Sequence, residues 1–81
     1  MNLNKKIFGA SAAYILGLRP MVEIKGNKEE ILAYKKVLNS SKSLFEALEA
    51  EDNLNSVDQK LKAKKLAAHQ FKAVTGTSWP F

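Results

Sequence analysis

An apolar run near the N-terminus predicts the first helix of this chain, over roughly 4–18. Residues 7–18 are almost uninterrupted in apolar character, which favours a helix that is covered by protein on all sides. We expect Gly9 and Gly17 to allow close packing within it. Pro20 should end it, because proline disfavours helical geometry at the preceding residue.

The same apolar run bears on export and on membranes. Lysines precede it, as in a secretory signal, but no pair of small residues follows it as a cleavage site, so no recognisable cleavable signal is predicted. The run is also shorter than the roughly 20 residues that a membrane-spanning helix needs. A helix anchored at a membrane surface remains an alternative.

A short strand is predicted over about 21–25. Val22 and Ile24 alternate there with charged residues, at the period of a half-buried strand. A lone strand leaves backbone groups without hydrogen-bond partners, so this one needs an external partner. That partner would be the same strand of another copy or the sheet edge of another protein. A plain extended connector is the alternative.

Residues 28–50 predict one long amphipathic helix. Asn27 and Glu30 have the spacing of a capping box, and apolar residues follow at intervals of three and four. Asn39–Ser41 is the weakest point, because short polar side chains compete with the helix for backbone hydrogen bonds. A break there into two shorter helices remains open.

A third helix is predicted over about 57–74. Ser56 and Gln59 suggest a second capping box at its start, and Gly76 follows its end. Its apolar positions share one face. A second face is basic and carries Lys62, Lys65, His69 and Lys72. The fold class is therefore mainly α, with about three helices and one short strand.

Composition indicates a chain that gains stability by associating with other proteins. Its 81 residues make a single small domain (1–81), whose own core provides a thin margin of stability. There is no cysteine, which removes disulfides and thiolate zinc sites. Oligomerisation, or docking onto a larger body, is the compensation that remains. The net charge of +5 is uneven, with an acidic middle between basic ends.

No pattern of catalytic or cofactor-binding residues is present. Nucleophile elbows, phosphate-binding glycine loops and paired-histidine metal motifs are all absent from the sequence. His69 stands among lysines and cannot build a metal site alone. We therefore expect no enzyme, no catalytic residue, no cofactor, no metal and no small-molecule ligand.

Nucleic acid is the less favoured partner. The lysines of the last helix could contact phosphates, but this segment has no arginine for bidentate recognition. A strand followed by two helices resembles the layout of ribbon-helix-helix repressors. Residues 19–50 would match that layout if the long helix broke at 39–41. A small dimeric DNA-binding regulator is therefore the alternative function.

Two aromatic residues stand close to the last position, Trp79 and Phe81. Trp79 either folds back onto this chain's own core or anchors in a neighbour, as tryptophan often does at interface hot spots. The predicted partner-contact residues, drawn from the strand, the first helix and this segment, are Val22, Ile24, Trp79, Phe81, Phe8 and Tyr14.

We expect a non-catalytic structural or adaptor subunit of a larger assembly, acting through contacts with other subunits, the same or different. A bacteriophage particle is the predicted setting, because short, lysine-rich chains without cysteine are typical there. The expected location is the virion or the host cytoplasm. Membrane contact is not favoured, and a membrane-surface protein anchored through residues 7–18 is the third alternative.

Overall fold

Three helices follow one another along the chain. The computed structural model describes residues 5–20 and 25–81, and every regular element within them is a helix: α1 (Lys5–Ile15), α2 (Lys28–Glu49) and α3 (Leu54–Thr75). The prediction of a mainly α fold with three helices is confirmed. The predicted strand lies outside the described residues except for Lys25, which is not in a strand.

The N-terminus of α2 is held by the capping box that the sequence predicts. The side chain of Asn27 accepts a hydrogen bond from the Glu30 amide at 2.9 Å, and Glu30 Oε1 accepts one from the Asn27 amide at 3.0 Å. The helix then runs unbroken through Asn39–Ser41. It survives there because the side chains of Asn39 and Ser41 bond to residues outside α2 and do not compete for its backbone.

A Schellman motif ends α2 without a glycine. The Asp52 amide donates to the Ala47 carbonyl at 3.0 Å, and the Glu51 amide donates to the Leu48 carbonyl at 3.2 Å. The motif requires a left-handed residue, and here that residue is Glu51, with φ of 53°. A side chain in this conformation costs roughly 1 kcal/mol, so the turn between α2 and α3 is strained.

α3 begins at Leu54, three residues before the predicted start. Its N-cap is Asn53, whose side chain accepts a hydrogen bond from the Ser56 amide at 2.9 Å. The predicted capping box at Ser56 is therefore wrong. Asparagine caps as well as serine does, and it comes first in the chain. Gly76, with φ of 77°, follows the last residue of α3 as predicted.

α1 is shorter than its apolar run. It ends at Ile15 because Gly17 adopts a left-handed φ of 96° and closes a second Schellman motif, with the Leu18 amide on the Ala13 carbonyl at 2.9 Å. The prediction that Pro20 ends this helix is wrong by a turn. Gly17 lies beyond the helix, and no described residue of another element has an atom within 4 Å of a Cβ built on Gly9. Within the described residues, neither glycine therefore serves close helix packing.

The core is small and is built around α2. Its buried members are Ile7 of α1, Tyr34 and Val37 of α2, and Ala67 and Phe71 of α3. In α1, the buried side chains among the described ones, Ile7, Ser11 and Ile15, lie on one face, whereas Leu16 and Leu18 just beyond the helix are 62% and 63% exposed. The expectation that protein covers the whole first helix is therefore wrong. None of the helices in the described part of the chain is long and apolar enough to cross a membrane.

A buried polar chain joins α1 to α2. The hydroxyl of Ser11, fully buried, donates to the Ile7 carbonyl at 2.7 Å and is also hydrogen-bonded to the Tyr34 hydroxyl. A serine hydroxyl has one proton, so Tyr34 is the donor in the second bond. This arrangement leaves both buried hydroxyls satisfied.

Candidate protein-binding surface

Trp79 lies against the chain's own core. Its ring makes edge contacts with Phe8, Tyr34 and Phe71, at centroid distances of 6.3, 5.9 and 5.3 Å. Its indole nitrogen donates to the Ser41 hydroxyl at 2.9 Å. Of the two alternatives for Trp79, folding back is therefore the one that the structure contains, and Phe8 is held in the same cluster.

Tyr14 is also engaged within the chain. Its hydroxyl donates to Asn39 Oδ1 at 2.8 Å, and Lys42 Nζ lies 5.0 Å from the centre of its ring. Lys42 also donates to the Tyr14 carbonyl at 3.1 Å. These contacts join the end of α1 to the middle of α2, so Tyr14 makes contacts within the chain in this structure. Val22 and Ile24 lie outside the described residues.

An apolar groove opens between α1, α2 and the segment that follows α3. Its volume is about 490 Å³. Three of its lining residues are exposed leucines or aromatics: Leu16 at 62%, Leu48 at 56% and Phe81 at 41%. Among the described residues, Lys64 is the one charged member of the lining. The remaining walls are Ala12, Ile15, Ser41, Leu44, Phe45 and Pro80.

Of the predicted contact residues that the structure describes, only Phe81 lines the apolar groove. Leu16 and Leu48 were not singled out from the sequence. A signal for Leu48 does exist, because the apolar stripe of α2 continues to its last turn while α3 begins with few apolar residues to cover it. Leu16 is exposed because α1 ends before it, at the left-handed Gly17. The sequence gives no sign of this end, since Gly17 lies inside the apolar run.

A second depression, the basic cleft, lies beside the groove and shares Lys64 with it. Its volume is about 350 Å³. Its lining residues are Lys64, Lys65, Ala68, His69, Lys72, Ser78 and Trp79. The structure thus brings together three of the four predicted basic-face residues. The fourth, Lys62, pairs with Asp58 at 3.0 Å and lines no part of the cleft.

The connection between α2 and α3 carries the opposite charge. We define the acidic turn as Glu49, Glu51, Asp52 and the leucine that follows them, Leu54, which is 85% exposed. Asp52 lies 3.9 Å from Lys60. Within the described residues, Glu49 and Glu51 have no ion pair, and neither have Lys64, Lys65 or Lys72.

No metal-binding arrangement is found among residues 5–20 and 25–81, where no three histidine or acidic side chains converge. Comparison with protein families, with curated proteins and with solved structures finds no match to this chain.

Proposed function

We propose that this chain is a non-catalytic structural or adaptor subunit that works by docking onto other subunits. The apolar groove carries the proposal. Leu16, Leu48 and Phe81 stay exposed around one depression, where a partner could bury all three at once. Clustered exposed apolar residues commonly mark an interaction surface, whereas scattered ones need no explanation.

The shape of the groove favours a protein segment over a small molecule. Sites for small ligands bury most of the ligand and place several polar groups to orient it. Here the rim residues remain 41–62% exposed, and Ser41 is already occupied by Trp79. An apolar helix face or a short apolar segment of another subunit would cover this rim better.

The small core supports the same proposal. In the described part of the chain its buried cluster consists of Ile7, Tyr34, Val37, Ala67 and Phe71. A chain of 81 residues with so small a core has a thin margin of stability. Association would therefore add stability that the chain lacks alone.

Photo-crosslinking from the groove tests the proposal. A photoreactive amino acid at position 48 in the producing cell should yield a discrete product, which Leu16→Ser should abolish. The matched control is position 32, where Leu32 is equally exposed at 57% but lies outside the groove. Equal products from both positions, or none from position 48, would contradict groove-mediated docking.

The bacteriophage particle remains the assembly that we propose, on the grounds of size and composition. Purified particles should then contain this chain at a fixed ratio to the major subunits, measured by quantitative mass spectrometry. Its presence only in the particle-free host fraction would count against the virion.

A second candidate is a DNA-binding regulator, which the exposed basic cleft favours. Because α2 is unbroken, residues 19–50 do not contain the two helices that the ribbon-helix-helix layout requires. Binding through phosphates would weaken steeply as salt rises. Titration of duplex DNA at two salt concentrations measures this, and salt-dependent binding that Lys65→Glu abolishes would favour the regulator.

A further inference from the structure

We propose that the acidic turn of one copy docks into the basic cleft of a second copy, so that the chain associates head to tail. This deepens the proposed function, because it rests on the chain being an assembly subunit and names one of its partners. The two surfaces are built from different residues of the same chain, so every copy offers one of each.

Charge complementarity is the first argument. The basic cleft gathers Lys64, Lys65 and Lys72, and none of them has an ion pair within the described residues. The acidic turn presents Glu49 and Glu51, which are likewise unpaired there. The other lysines near the turn, Lys60 and Lys62, already face carboxylates of their own chain. Opposite charges are therefore left over at two separate places.

The apolar parts of the two surfaces also correspond. Leu54, at 85% the most exposed large apolar residue in the described part of the chain, lies two positions after Asp52. Besides its cations, the basic cleft is lined by the apolar residues Ala68 and Trp79. A leucine placed against them would be removed from water while its acidic neighbours meet the lysines of the cleft.

The two surfaces cannot meet within one chain. Leu54 and Ala68 lie on the same continuous helix, α3, and a helix rises about 1.5 Å per residue, which places them roughly 21 Å apart. The contact must therefore join two copies. Because the contacting surfaces differ, the contact is heterologous, and repeated copies form a ring if the rotation closes or an open filament if it does not.

The strained residue of the turn, Glu51, belongs to this surface. Glu51 holds the left-handed position of the Schellman motif, where glycine is the unstrained choice. The side chain that occupies it is charged, exposed and without an ion pair in the described part of the chain. Strain of this kind is often found where a side chain serves binding.

Charge exchange between the two surfaces tests the proposal. The variants are Lys65→Glu/Lys72→Glu in the cleft, Glu49→Lys/Glu51→Lys in the turn, and the quadruple variant with both changes. Light scattering over a range of concentrations measures the association of each full-length chain. Each double variant should associate at least roughly tenfold more weakly than the original. The quadruple variant should regain association, because its basic turn and acidic cleft again have opposite charges.

Two controls separate charge pairing from loss of fold. Lys35→Glu/Lys36→Glu reverses two exposed lysines of α2 outside the cleft and should leave association unchanged. A 1:1 mixture of the two double variants should associate more strongly than either variant alone, which misfolded chains could not do. Association of the original should also weaken from about 0.05 to 0.5 M salt, since exposed charges are screened.

A monomeric original chain at all concentrations, or a quadruple variant no better than the doubles, would overturn the head-to-tail contact. Such a result leaves the proposed function standing if position 48 still crosslinks to another protein. If the cleft variant instead loses binding to DNA while association is unchanged, the cleft belongs to nucleic acid and the head-to-tail contact is refuted.

Discussion

The indole nitrogen of Trp79 donates a hydrogen bond to the hydroxyl of Ser41 at 2.9 Å, across 38 positions of the sequence. Ser41 is buried in the middle of α2, at the place where the sequence suggests a break. The bond gives a reason for a serine there: its oxygen accepts a hydrogen bond from a ring that packs against one aromatic residue of each helix, Phe8, Tyr34 and Phe71.

This bond predicts coupling between the two residues. Trp79→Phe keeps an aromatic ring but removes the donor, and Ser41→Ala removes the acceptor. Each should lower the free energy of unfolding, and a double-mutant cycle in urea should give a coupling of about 1 kcal/mol. Trp79→Ala should cost about 3–5 kcal/mol, because it also removes the ring contacts. Additive single effects would show that the hydrogen bond contributes nothing.

The hydrogen bond between the buried hydroxyls of Ser11 and Tyr34 predicts that a second substitution recovers part of the stability lost with the first. Ser11→Ala leaves the Tyr34 hydroxyl buried at 3% exposure without its acceptor, at a cost of about 1–3 kcal/mol. Adding Tyr34→Phe removes the stranded group, so the double variant should be more stable than Ser11→Ala alone. Thermal unfolding followed by circular dichroism measures this order, and a less stable double variant would contradict the hydrogen-bond assignment.

The start of α3 predicts which polar residue matters there. Asn53→Ala removes the N-cap and should cost about 1 kcal/mol of stability. Ser56→Ala should stay within about 0.5 kcal/mol, since its hydroxyl makes only an exposed contact of 3.4 Å with Asp52. Urea unfolding of the two variants compares them. The opposite order would restore the capping box at Ser56.

The left-handed residue at the end of α2 predicts a gain in stability. Glu51→Gly relieves the strain and should stabilise the monomer by about 0.5–1 kcal/mol, whereas Gly76→Ala at the end of α3 should destabilise it by a similar amount. Denaturation at low protein concentration measures both. If the acidic turn is a docking surface, Glu51→Gly should also weaken self-association, so stability and assembly would move in opposite directions.

The helices could be predicted because their signals are local. The capping residues Asn27 and Glu30 and the apolar stripe of α2 act within a few positions of one another, and the structure keeps all of them. The errors lie at the ends. Gly17 lies inside an apolar run, and Asn53 lies before the predicted start of α3 at about residue 57. Glycine occurs within apolar runs and at helix ends, and asparagine occurs in connectors and at N-caps, so tertiary context decides between these roles.

The candidate surface was harder to predict, since it depends on how the helices meet. The basic face could be derived from spacing along α3, and three of its members line the cleft. The apolar groove could not be derived in that way. Leu16, Leu48 and Phe81 come from three distant parts of the chain, and only the angle between α1 and α2 and the return of the last segment place them together.

The return of residues 77–81 also determines when this protein can finish folding. α2 and α3 are neighbours in the chain, and they make most of the contacts between helices, so this hairpin can form early from local encounters. The aromatic cluster cannot, because it joins Phe8 of the first helix to Trp79 beyond the last one. Until Trp79 has reached Ser41, Phe71 and Tyr34 lack one of their aromatic neighbours. A growing chain on the ribosome would therefore hold an incomplete core until its final described residues have been released.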